Sequence, residues 1–195
     1  MHHIYHTDAF ILKSLPQSEA NKFVTIFTKE FGIVRSTAQG LRYEKSKLRF
    51  AIQDYSKASV SLVRGKNGVW RLTNAVAEKN LFNNLEEDEF KVVARVFKLL
   101  ERLLPGEDAD NELFEIIDEG IKYLENNIFD KEKLLDIESI FVLRILNRLG
   151  YIGNNKNLNF YTSDNKWGNS LIEKMNTERK EALSSINDGL RQSQL

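Results

Sequence analysis

The sequence predicts an α+β chain, with a small five-stranded barrel over residues 1–78 and an α-helical domain over residues 79–195. Three observations carry that prediction. Apolar residues alternate with the period of strands up to about residue 75 and recur with the period of helices from Leu81 onward. An Asn67-Gly68 pair separates two alternating runs and marks a tight hairpin, because it tolerates positive φ. Five short strands in about 70 residues favour closure, which removes unpaired edges.

The first strand is Asp8 to Lys13, with Phe10 and Leu12 on one face and Ala9 and Ile11 on the other. Ser14 to Ala20, which contains Pro16, reads as a loop. Lys22 to Thr28 is β-branched and aromatic from Phe23 to Phe27 and makes the second strand. Lys29-Glu30-Phe31-Gly32 then turns the chain into a third strand, Ile33 to Ala38. A fourth, Ala58 to Arg64, alternates Ala58, Val60 and Leu62 against Ser59 and Ser61. Beyond Gly65-Lys66-Asn67-Gly68, Val69 to Thr73 closes the hairpin as the fifth.

The first long helix is expected to start at an Asn84 cap, with Glu86, Glu87 and Asp88 complementing its dipole. Its stripes, Phe90-Val93-Phe97-Leu100-Leu104 and Val92-Val96-Leu99-Leu103, imply burial on two sides before Pro105-Gly106 ends it. A second helix, capped by Asp110, turns Leu113, Ile116, Ile117, Ile121 and Leu124 inward. A third runs from Lys131 to Leu149 and stops at Gly150. Gly153 to Gly168 is Asn-rich and turn-like. The last helix begins with a Ser170-x-x-Glu173 capping box and buries Ile172, Met175, Leu183, Ile186 and Leu190.

The 195 residues are 42% apolar and 29% charged, a globular composition. With no cysteine, the chain has no disulfide, thiol nucleophile or Cys-bound metal. The most apolar run, Val92 to Leu104, is broken by Arg95, Lys98, Glu101 and Arg102, and Met1 to Lys13 lacks the features of a signal peptide. A cytoplasmic location is expected. No phosphate-cradling loop, nucleophile elbow or metalloprotease helix is present, and the three histidines cluster at His2, His3 and His6. Neither an enzyme, nor a cofactor, nor a metal is expected.

Charge is unevenly spread. Residues 1–80 hold 13 Lys and Arg against 6 Asp and Glu, residues 81–130 hold 5 against 14, and residues 131–195 hold 10 against 8. Such asymmetry suggests two modules with different partners, although solvated surface of drifting sign would also produce it. The basic density peaks at Arg35, Arg42, Lys45, Lys47, Arg49, Lys57, Arg64, Lys66 and Arg71, interleaved with Tyr43, Phe50, Tyr55 and Trp70. Cations neutralise phosphates and exposed aromatics stack on bases, so the pattern points to nucleic acid. Core positions for Phe50 and Trp70 are the alternative. The candidate DNA contacts are Arg35, Arg42, Tyr43, Lys45, Lys47, Arg49, Arg64, Lys66 and Arg71.

The run Gly32-x-x-x-Ser36-x-Ala38-x-Gly40-x-Arg42-x-x-Lys45-Ser46-x-Leu48-Arg49-x-Ala51-x-Gln53 resembles the amino-terminal domain of the RecO recombination-mediator family. Ala9-x-Ile11-Leu12 and Glu19-x-x-x-x-Val24-Thr25-x-Phe27-Thr28 precede it in the family's order, and Phe141-x-Leu143-Arg144-x-Leu146-x-x-Leu149-Gly150 resembles the end of its helical core. The resemblance implies an OB-fold followed by helices. It also implies a non-enzymatic role in DNA repair: binding single- and double-stranded DNA, annealing strands and helping to load recombinase. RecR and the single-strand-binding protein are the implied partners. Arg42, Lys45, Lys47 and Arg49 match the family's basic loop.

The chain departs from the family where many members insert a four-cysteine zinc module, because Tyr151 to Trp167 holds no cysteine. Asn21, Gln39 and Asp54 also differ from common family residues, and the chain is short for the family. Arg144 and Arg148, four apart on one helix face, are candidates to dock the acidic, apolar tail of the single-strand-binding protein. Two rival readings stay open: a protein-interaction scaffold with little DNA affinity, and an RNA-binding OB protein.

Overall fold

The computed structural model describes residues 3–17, 21–39, 48–153 and 157–193. They fall into two compact units, one comprising Met1–Glu86 with Leu104–Asn111 and the other Glu87–Leu103 with Glu112–Leu195. No helix among the described residues is long and apolar enough to cross a membrane.

In the first unit β1 (Ile4–Pro16), β2 (Lys22–Thr28), β3 (Gly32–Ala38), β4 (Ser56–Arg64) and β5 (Trp70–Asn80) close a barrel in the order β1-β2-β3-β5-β4. β1 pairs antiparallel with β2 on one edge and with β4 on the other. A short parallel join completes the ring, setting Ser36, Thr37 and Ala38 of β3 beside Trp70, Arg71 and Leu72 of β5. The barrel is filled by Ala9, Ile11, Val24, Ile26, Val34, Val60, Leu62, Trp70 and Leu72 among others. This is the α+β, OB-type arrangement that the sequence predicts.

Two strands outrun their expected ends. β1 continues through Ser14 to Pro16, which pairs with Lys22 as the last residue of the ladder, where a missing N–H costs little. β5 continues past Thr73 to Asn80 because a register shift sits there: Leu62 faces Leu72, whereas Ser61 faces Asn74. Thr73 is the extra residue, and its hydroxyl donates to the Ser61 carbonyl at 3.1 Å. The hairpin tip forms as expected, with Gly68 at φ 75° and its N–H donating to Gly65 O at 3.0 Å.

The crossover from β3 to β4 carries α1 (Leu48–Ala51), whose Ala51, with the following Ile52, enters the barrel core. The segment Leu104–Asn111 lies on the start of β3, where Ile33 N–H donates to Gly106 O at 3.0 Å. Gly32 is left-handed there at φ 66°. A Cβ on it would run into the Asp108 backbone carbonyl.

α2 (Leu81–Asn84) is capped by Asn80, whose side chain accepts from Phe82 N–H and Asn83 N–H. Asn84 is therefore the end of that short helix and not the cap of the long one. The second unit contains α3 (Glu87–Leu103), α4 (Asn111–Glu125), α5 (Lys131–Arg148), α6 (Asn159–Thr162) and α7 (Asn169–Gln192). Glu87, Asp88 and Glu89 fill the first turn of α3. Asp130 caps α5 by accepting from Lys133 N–H at 2.8 Å. α7 begins one residue before Ser170 and is capped by Gly168 without a side-chain bond, so the expected capping box does not form. Leu183 of α7, expected inside, is exposed.

Candidate nucleic-acid interface

Strand alternation decides which cations face out. Val34, Ser36 and Ala38 are buried, which leaves Arg35 and Thr37 on the outer face of β3. On β5, buried Trp70 and Leu72 leave Arg71 outward beside Thr37. The β4–β5 tip brings Lys66 and Asn67 to the same place. Thr37, Gly65, Lys66, Asn67, Val69 and Arg71 line an open groove of about 440 Å³. Arg35, Lys66 and Arg71, with Arg49 on α1, are exposed and carry no ion pair among the described residues.

Arg64 differs from its neighbours. It pairs across the ladder with Trp70, not with Arg71, and its guanidinium lies 5.3 Å from the indole centroid. Glu107 accepts its charge at 3.3 Å, so Arg64 is offset within the fold. Trp70 is a core residue, packed with Tyr5 and Phe31 at centroid distances of 5.4 and 5.5 Å. Tyr55 is half-buried and Phe50 is exposed. Arg42, Tyr43, Lys45 and Lys47 lie outside the described residues.

In the helical unit the structure corrects the reading of Arg144. It is 2% exposed, and its guanidinium donates to the carbonyls of Tyr161 at 2.7 Å, Asn165 at 3.3 Å and Lys166 at 2.8 Å. It also lies 4.7 Å from the Trp167 ring centroid. Burial lowers its pKa to about 10, with Asp164 opposing that shift, so it is still a cation at neutral pH. Arg144 therefore organises the 161–167 segment, and with Arg148 it also lines a small pocket of about 130 Å³. Arg148 is on the surface, where Glu112 accepts from it at 2.5 Å.

What the sequence reasoning missed is a groove of about 600 Å³ on this unit, with an apolar floor and a charged rim. Leu99 of α3, Leu135 and Val142 of α5, and Leu183, Ile186 and Leu190 of α7 form the floor. Arg95, Lys98, Arg102 and Arg179 stand at the rim. Arg95 is held by Glu138 through two bonds of 2.6 Å, which raise its pKa. Arg179 donates to the buried Asp136 at 2.7 and 2.9 Å. Lys98 and Arg102 have no ion pair among the described residues. A trace of this groove was in the sequence: Arg95, Lys98 and Arg102 recur at helical spacing beside the stripe that holds Leu99.

Residues 1–80 match the family model described as recombination protein O N terminal. Similar curated proteins include a DNA repair protein RecO of Caldanaerobacter subterraneus, 26% identical over 90% of this chain and 73% of its own length. RecO of Thermodesulfovibrio yellowstonii is 26% identical over 78% of this chain and 60% of its own. RecO of Desulfitobacterium hafniense is 28% identical over 76% of this chain and 52% of its own. The chain thus spans between about half and three quarters of the length of these relatives.

Proposed function

We propose that this chain, whose residues 1–80 match the RecO amino-terminal model and which is similar to curated RecO proteins over most of its length, is a DNA-repair mediator of the RecO family that binds single- and double-stranded DNA. In this role it anneals strands and helps to load recombinase, and no covalent bond is made or broken. The observation that carries the reading is the cationic groove on the barrel. Arg35, Lys66 and Arg71 leave the outer face unneutralised beside the β4–β5 loop, and loops of this kind on OB barrels hold oligonucleotides.

The physics of annealing needs little more. Two strands repel through their phosphates, and a basic surface that contacts both removes part of that repulsion and raises their local concentration. Phosphate contacts position the strand without reading bases, so sequence preference is slight. Arg49 adds an exposed cation on α1, and Arg42, Lys45 and Lys47, which precede it in the sequence, complete the basic run that this reading assigns to DNA.

The implied protein partners are RecR and the single-strand-binding protein. For the acidic, apolar tail of the latter, the α3–α5–α7 groove is the better complement than Arg144 and Arg148. Its leucines suit the apolar end, and the unpaired Lys98 and Arg102 suit the carboxylates.

The test is fluorescence anisotropy of labelled single-stranded DNA across a salt series, comparing wild type with an Arg35→Ala, Lys66→Ala, Arg71→Ala variant. If each cation meets one phosphate, the log–log salt slope falls by about 2, at roughly 0.7 per contact on single strands. Absent binding at low salt, or an unchanged slope in a folded variant, removes the barrel groove as the site.

A further inference from the structure

We propose that Phe50 is a stacking platform for an unpaired base, with Arg49 beside it taking the adjoining phosphate; the inference rests on the DNA-binding reading above and deepens it. α1 is only four residues long, yet it is fixed from the inside. Leu48 packs against the barrel core, and Ala51 and Ile52 lie within it at 3% and 1% exposure. Ile52 N–H donates to Leu48 O at 2.9 Å, and the Ser56 hydroxyl reaches Ala51 O at 3.2 Å. Helical spacing of those anchors leaves Arg49 and Phe50 together on the outside.

Phe50 is 70% exposed, the most exposed phenylalanine among the described residues. Its ring makes no aromatic or cation contact there. Neither of the other described aromatics interleaved with the basic run can offer a free face. Trp70 is 3% exposed in the core, and Tyr55 is half-buried at φ 61°. A rigidly presented ring next to a free guanidinium, on a segment with 13 cations to 6 anions, repeats the chemistry of a nucleotide, one flat face and one charge. A duplex keeps its base faces stacked, so the platform serves single strands alone.

The full chain is titrated into labelled oligo-dT and into a duplex of equal length, with Phe50→Ala and Phe50→Trp beside wild type. Circular dichroism confirms folding, which an exposed position should not disturb. Stacking makes Phe50→Ala weaken oligo-dT binding at least about five-fold, with duplex affinity unchanged and Phe50→Trp restoring the single-strand affinity. Because the contact is uncharged, Phe50→Ala keeps the wild-type salt slope, whereas Arg49→Ala lowers it by about 0.7. Equal loss on both DNAs, or none on oligo-dT, overturns the platform while leaving the DNA-binding reading intact. Wild type that binds neither DNA overturns both.

Discussion

Two arginines four residues apart on α5 illustrate how much context decides a side chain's role. Arg144 is surrounded by protein, and three carbonyls depend on its guanidinium, whereas Arg148 shares its charge with Glu112 at the surface. Removing a buried cation leaves desolvated acceptors without donors, a cost of about 3–5 kcal/mol. An exposed pair is worth about 1 kcal/mol at most. Arg144→Ala should therefore shift the urea midpoint far below wild type, and Arg148→Ala should barely move it. Similar midpoints for the two variants would mean that Arg144 does not hold the 161–167 segment. From sequence the two look alike, because helical spacing tells which residues share a face and not which of them a later loop will cover. The covering loop is itself irregular, with α6 the one regular turn among the described residues of a stretch that reads as Asn-rich coil.

At the level of elements, β3 meets the Leu104–Asn111 segment so closely that only a glycine fits. Gly32 combines a left-handed φ of 66° with the Asp108 backbone where a Cβ would stand. Gly32→Ala should cost about 1–2 kcal/mol from the conformational penalty alone, and more once the clash is counted. Thermal unfolding checks it, with Gly68→Ala as a comparison: that glycine is also left-handed but meets nothing within 4 Å of its added Cβ, so it should lose less. Long-range contacts of this kind leave no trace in local pattern, and Lys29 to Gly32 reads from sequence simply as a turn. Strand existence was legible because period-two alternation reports a buried face directly. Strand length was not, because the shift at Thr73 breaks the alternation in the middle of β5. Helix caps were poorly legible for a related reason: Asn80 and Asn84 stand at either end of a four-residue helix, Ser170 falls inside α7, and the Asp130 cap of α5 went unread.

Among the described residues, a groove on the barrel and a groove on the helical unit differ in chemistry. That of the barrel carries Lys66 and Arg71, with Arg35 on the outer face of β3, and all three belong to the basic run that the sequence displays. The helical groove left only its rim cations as a trace, since Leu183 and Leu190 carry the same periodic pattern as core residues and three-dimensional packing alone reveals that they line an opening. If the barrel holds DNA and the helices hold an acidic tail, the two activities should separate cleanly. Lys98→Glu with Arg102→Glu reverses the unpaired rim charge while sparing the Arg95–Glu138 and Arg179–Asp136 pairs that support the helices. Isothermal titration with a peptide of acidic residues ending in apolar ones should then show affinity reduced ten-fold or more, since each reversal turns an attraction into a repulsion of about 1 kcal/mol. Single-stranded DNA affinity of the same variant should fall little, because its phosphates are met on the barrel. Peptide affinity that survives the reversal would exclude the groove as the tail's site. A parallel collapse of DNA binding would mean instead that Lys98 and Arg102 contact phosphate, and that the division of labour between the units is wrong.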